Sequence, residues 1–208
     1  MAHDAEIVLY HAAPSRSSGA LLLLKELGAP YQLRMIDLKK GEQLTPEFRA
    51  INAMGKVPVI VHGDAVVTEQ VAIFIYLADL FPAAGLAPGL GDPDRGPYLR
   101  WLAFYGSCFE PAVVDQSMGR EAGKRAMMPY ADFETMLGAL EGQLSKGRYI
   151  LGERFSAADL LWGSALNWMV KWQLVPAKEV FTAYVARHNE RPAVAWVNEQ
   201  DAASQAKG

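Results

Sequence analysis

Cysteine is nearly absent from this chain of 208 residues, in which Cys108 stands alone. One thiol can neither close an internal disulfide nor build a thiolate metal site, and such usage fits a reducing compartment. Charge of one sign is also lacking. Twenty Lys and Arg against 23 Asp and Glu leave a formal net charge of −3 at pH 7, and neither the part before Phe81 nor the part after it is basic. That balance argues against nucleic acid as the main partner. No uncharged apolar run approaches the length of a membrane span, and Met1-Ala-His-Asp-Ala-Glu-Ile7 lacks the basic-then-apolar pattern of a signal segment. A soluble, cytoplasmic protein without a membrane partner is therefore expected. His3, His11, His62 and His188 have no metal-ligand spacing, so no metal site is expected either. Internal repeats and low-complexity tracts are missing too. What remains is an ordinary globular composition, 51% hydrophobic and 21% charged. A mass of 22.8 kDa is ample for one large domain or two modest ones around a buried core.

The chain reads as two parts. Residues 82–97 carry four prolines and four glycines, and so much helix- and strand-breaking chemistry marks an interdomain linker. Before it, strand and helix signals alternate. Ile7-Val-Leu-Tyr10 is a short buried-strand run. Ser17–Leu27, with four leucines in succession and Gly28 behind it, reads as a helix with a glycine stop. Tyr31–Ile36 alternates as a strand, and Thr45-Pro46 opens a short helix. Val57–Val61 and Ala65–Val67 flank a His62-Gly-Asp64 hairpin turn, after which Thr68-Glu-Gln70 opens a last helix. The order over residues 1–81 is βαβαββα. Residues 98–208 show helical periodicity alone, over 98–115, 130–144, 158–170, 180–188 and 193–201. Ser156 with Asp159 has the form of a capping box, with Phe155 placed to staple Leu160.

Five motifs in this order resemble the cytosolic glutathione transferase family, of a bacterial, theta- or beta-like kind. They are Leu9-Tyr10 with Ser15-Arg-Ser17, Asp37-Leu-Lys-Lys-Gly-Glu-Gln43, Ile51-Asn-Ala-Met-Gly-Lys-Val-Pro58, Thr68-Glu-Gln-Val-Ala-Ile73 and Tyr149-Ile-Leu-Gly-Glu-Arg-Phe-Ser-Ala-Ala-Asp159. The resemblance spans nearly the whole chain. It implies an α/β thioredoxin-like N-terminal domain that holds glutathione, an all-α C-terminal domain that shapes a second-substrate pocket, and a homodimer. Glutathione would act as cosubstrate, with no separate cofactor.

The candidate site follows from the chemistry of that tripeptide. A proline within a strand belongs at an edge or a special bend; the family has a cis bond at the position of Val57-Pro58, which leaves the Val57 backbone to pair with an extended peptide. Glu69 and Gln70 start a helix, where free amides and the dipole suit a carboxylate. By resemblance these residues take the γ-glutamyl end, Gln70 standing where serine is commoner. Gln43 and Lys56 fall on the positions that hold the glycine carboxylate, with Lys39 and Lys40 nearby in sequence and Ala53 where proline is commoner. The thiol needs help. With a pKa near 8.5 it is only a few per cent ionised at pH 7, and lowering that value by two units takes about 2.7 kcal/mol. A hydroxyl donor and a helix N-terminus can supply it. Ser15 matches the catalytic serine of theta-like members and also falls where beta-like members have a cysteine. Ser17 and Tyr10 are rivals for the same role, with helix capping and strand packing as their simpler explanations. Glu110 stands where beta-like members have a histidine. Tyr105, Phe109, Met118 and Trp168 are candidates for the second pocket, although aromatics at helical spacing are more often core.

The resulting expectation is a detoxifying transferase that joins the glutathione thiolate to a small hydrophobic electrophile. Two alternatives stay open: a glutathione-dependent isomerase of maleyl-type acids, and a binding protein that keeps the fold without turnover.

Overall fold

The computed structural model describes residues 6–121 and 123–206. His3 lies outside the described residues. The chain forms two compact units that do not follow chain order. One joins the residues up to Gly85 to those from Arg191 onward, and the other is Leu86–Glu190.

The first unit is built on a four-stranded mixed sheet in the order β2-β1-β3-β4. Strand β1 (Ile7–His11) lies parallel to β2 (Tyr31–Met35) and antiparallel to β3 (Val59–His62), which pairs antiparallel with β4 (Ala65–Val67). The parallel β1–β2 pair needs a crossover, and helix α1 (Ser17–Leu27) supplies it. Leu21, Leu22, Leu23 and Leu24 are all buried, since the sheet and the helices at Gln70–Leu80 and Pro192–Gln205 pack against α1. Gly28 ends the helix in the left-handed conformation, φ 63°, and its N–H bonds back to the last turn. Thr45 caps α2 (Pro46–Ile51), its hydroxyl accepting from Phe48 N–H at 3.3 Å. Helix α3 (Gln70–Leu80) buries Ile73, Phe74 and Leu77.

The second unit is helical, as expected, but its elements are more broken. The expected linker holds a 3₁₀ turn at Pro82–Ala84, and α4 (Arg95–Phe104) starts within it. Pro97 does not prevent this, because first-turn N–H groups have no intrahelical partner to lose. The single helix expected over 98–115 is interrupted by a π-helical turn at Tyr105–Phe109 before α5 (Glu110–Ser117). Pro111 is the reason: it offers no N–H to the carbonyl of residue 107, and the wider turn accommodates the mismatch. Asp132 caps α6 (Phe133–Leu144), accepting from Thr135 N–H at 2.7 Å. The Ser156–Asp159 capping box starts α7 (Ala157–Lys171), and α8 (Glu179–Asn189) follows. The core gathers on Trp162, whose ring meets Trp101, Tyr105 and Phe109 edge-on at centroid distances of 6.2, 5.4 and 4.8 Å. The last helix, α9 (Pro192–Gln205), lies in the first unit against α1 instead of with the other C-terminal helices. Among the described residues no helix is long and apolar enough to cross a membrane.

Candidate functional site

Within the first unit, β1 ends at His11 and the chain turns through residues 12–16 into α1. A serine cluster shapes this turn. Ser15 Oγ accepts from Ser17 N–H at 3.1 Å and stands 2.7 Å from Ser17 Oγ, so its side chain folds back on the first residue of α1. Ser17 is fully buried, its Oγ held by Ala12 N–H at 3.0 Å, the Ala12 carbonyl at 3.2 Å and His11 Nδ1 at 2.7 Å. Ser18 donates to Asp201. The N-cap position of α1 falls on Arg16, so Ser17 is not the cap expected of it, and Ser15 and Ser18 are the half-buried serines of the cluster. Tyr10 packs its ring on Phe48 at a centroid distance of 5.7 Å, which accounts for that residue as strand packing.

The start of α3 lies beside the start of α1. Gln70 Nε2 donates to the Arg16 carbonyl at 3.1 Å, and a Cβ at Gly19 would stand only 2.8 Å from the same nitrogen. Two helix N-termini therefore converge, each with first-turn N–H groups and a positive dipole end. The side chain of Gln70, expected at a γ-glutamyl carboxylate, here bridges the two helices. Glu69 is exposed and held at φ 62°, ψ 118°, a conformation costing a non-glycine residue about 1–3 kcal/mol. Strain of that kind persists where the surroundings impose it, commonly at ligand clamps.

Val57-Pro58 is cis, and so is Ala13-Pro14, which the sequence does not single out. The β3 ladder begins only at Val59, leaving Val57 outside it. The preceding loop is pinned by buried Asn52, whose amide donates to the Lys56 carbonyl at 2.8 Å and accepts from Met54 N–H at 3.1 Å. Gly55, at φ 62°, packs so closely on Gln43 that a Cβ would meet the Gln43 carbonyl oxygen at 2.9 Å. Gln43 and Lys56 therefore share one corner. Gln43 Oε1 is buried there without a hydrogen-bond partner, while Lys56 is exposed. Lys40 instead pairs with Asp37 at 3.0 Å. Their hydrogen bond and charge attraction push the Asp37 carboxyl below its ordinary range and the Lys40 ammonium above its own.

The second-pocket candidates divide. Tyr105 and Phe109 are core residues, 2% and 0% exposed, because the Trp162 cluster encloses them; their assignment to a pocket is corrected. Met118 and Trp168 are on the surface of the second unit, Trp168 stacked obliquely on Trp172 at 6.2 Å.

A mixed sheet with the order β2-β1-β3-β4, two convergent helix starts and a cis-proline before β3 define a thioredoxin-like domain, here joined to a helical unit. Residues 5–79 match the family described as "Glutathione S-transferase, N-terminal domain", and residues 130–187 match "Glutathione S-transferase, C-terminal domain". Glutathione S-transferase F10 of Arabidopsis thaliana is 30% identical over 164 residues, 74% of this chain and 76% of the plant protein. Glutathione S-transferase GstA of Escherichia coli O157:H7 is 27% identical over 189 residues, 89% and 94% of the two chains. A sphingomonad glutathione S-transferase, solved in complex with glutathione, superposes with a TM-score of 0.77 at 29% identity, covering 94% of this chain and 98% of that one. The chain belongs to the glutathione S-transferase family, a family of transferase enzymes.

Proposed function

We propose that this enzyme binds glutathione in the first unit and conjugates its thiolate to hydrophobic electrophiles. The tripeptide lies extended beside Val57-Pro58, its glycine carboxylate toward Lys56 and Gln43. Its γ-glutamyl carboxylate faces the amides at the start of α3, and Glu69 accepts from its ammonium group. The Ser15 hydroxyl donates to the sulfur, and the dipole of α1 adds to that stabilisation. The observation that carries this assignment is the serine cluster itself. Ser17 is buried, Tyr10 packs on Phe48, and of the two half-buried serines at the mouth of α1 Ser18 is committed to Asp201, which leaves Ser15.

Retention on immobilised glutathione, followed by turnover of a reactive aryl halide, tests the reading. Binding with conjugation supports it. Binding with turnover of a maleyl-type acid alone favours the isomerase, and binding with neither reaction favours the scaffold. Family resemblance supports a cytosolic homodimer as part of the same reading. Sedimentation should then return twice the 22.8 kDa chain mass.

A further inference from the structure

Behind Ser15 runs a buried chain of polar groups, of which His11 and Asp201 lie outside the five motifs. Asp201 Oδ1, from α9, lies 3.1 Å from His11 Nε2; His11 Nδ1 lies 2.7 Å from Ser17 Oγ; and Ser17 Oγ lies 2.7 Å from Ser15 Oγ. His11, Ser17 and Asp201 are 1%, 0% and 8% exposed. Resting on the assignment of Ser15 as the thiolate's donor, we propose that His11 and Asp201 are positioning residues that set the direction of this hydroxyl chain, so that Ser15 turns its proton toward the sulfur.

The direction follows from counting protons and lone pairs. A hydroxyl has one proton to give and two lone pairs to fill. Ser17 Oγ already fills one lone pair with Ala12 N–H, and Ser15 Oγ fills one with Ser17 N–H. Consider His11 donating at both nitrogens, Nε2–H to the Asp201 carboxylate and Nδ1–H to Ser17. The second lone pair of Ser17 is then full, and its proton goes to Ser15, 2.7 Å away, in preference to the Ala12 carbonyl at 3.2 Å. Both lone pairs of Ser15 are now occupied, so its proton faces out of the cluster. With a bare Nδ1 the chain reverses: Ser17 must donate to the ring, Ser15 donates to Ser17, and only a lone pair is left for the thiolate. The Asp201 carboxylate oxygen, 3.1 Å from Nε2, accepts the hydrogen bond on that side of the ring. Among the described residues, Asp201 is the carboxyl group placed at the ring. β2 brings Met35 opposite His11, and α1 brings the uncharged Ser17.

The test compares the thiol pKa of bound glutathione, followed by ultraviolet absorbance, in the wild type, Asp201→Asn, Ser15→Ala and the double variant. Asp201→Asn keeps the shape of the carboxylate and removes its charge. It should raise the bound-thiol pKa by about one unit, a tenfold fall in the ionisation constant, and change KM for glutathione less than twofold. In the Ser15→Ala background the same substitution should add nothing, because it acts through Ser15. Equal shifts with and without Ser15, or no shift in Asp201→Asn, overturn the relay. No shift in Ser15→Ala overturns the underlying donor assignment instead. Nitrogen NMR of the unsubstituted protein decides the matter even if Asp201→Asn misfolds: a hydrogen on Nδ1 of His11 supports the relay, and a bare Nδ1 overturns it.

Discussion

Four donors converge on Asp159, which is 3% exposed: Ile150 N–H at 2.7 Å, Tyr184 O–H at 2.7 Å, Ser156 N–H at 2.9 Å and Ser156 O–H at 3.0 Å. Burial pushes this carboxyl up while the donors pull it down, and burial prevails. Asp159→Ala strands all four donors. At about 1–3 kcal/mol for each buried group left unpaired, a loss of at least about 4 kcal/mol is expected in urea unfolding. Tyr130 gives a pH-dependent case. Its hydroxyl donates to Asp115, and that bond pushes the phenol from its ordinary value of 10.0 up to about 12. The folded state holds this proton more tightly than the unfolded one, so the stabilisation is complete below pH 10 and lost as pH rises toward 12. Tyr130→Phe should therefore be less stable than wild type at pH 8, and the gap between their urea midpoints should narrow at pH 11. The Ser156–Asp159 box is legible in the sequence because its two members are three residues apart. The His11–Asp201 contact joins residues separated by 190 positions, and no local pattern announces it.

The first helix shows how far periodicity reaches. Its leucine run and glycine stop predict Ser17–Leu27, and the structure has those bounds. The helix expected over 98–115 fails at its middle, where Pro111 imposes the π turn at Tyr105–Phe109. Apolar spacing continues through that turn, so pattern alone does not reveal it. The same spacing leaves Tyr105 and Phe109 as pocket candidates, with core the commoner reading, and their edge-on packing against Trp162 places them in the core. Helices α7 and α8 make a close contact that the sequence also hides. A Cβ at Gly163 would stand 2.2 Å from Nδ1 of buried His188. Gly163→Ala should cost about 1–3 kcal/mol through overpacking, and lower the thermal midpoint by roughly 2–4 °C for each of those.

Helix α9 returns to the first unit, and that return is set by side chains outside its own amphipathic pattern. Arg191 grips Glu26 with two hydrogen bonds, 2.6 and 2.7 Å long, and Lys25 Nζ lies 4.5 Å from the centre of the Trp196 ring. A helical pattern tells which residues face inward but not which unit they face, so residues 98–208 read as one domain in the sequence. A chain ended at Glu190 keeps Ser15, Gln43, Lys56–Pro58 and Glu69 yet loses the cover of α1 and the Asp201 contact. It should fail to be retained on immobilised glutathione, and full retention by that fragment would show that α9 is dispensable to the site. Ser15 itself is tested by titrating the thiol of glutathione bound to saturation, in the wild type and in Ser15→Ala, by ultraviolet absorbance. The expected result is a wild-type pKa below the ordinary thiol value near 8.5, and a rise of at least about one unit in Ser15→Ala, with turnover at neutral pH falling in step. Identical titration curves for the two proteins would contradict the assignment and return the role of donor to Ser17 or Tyr10.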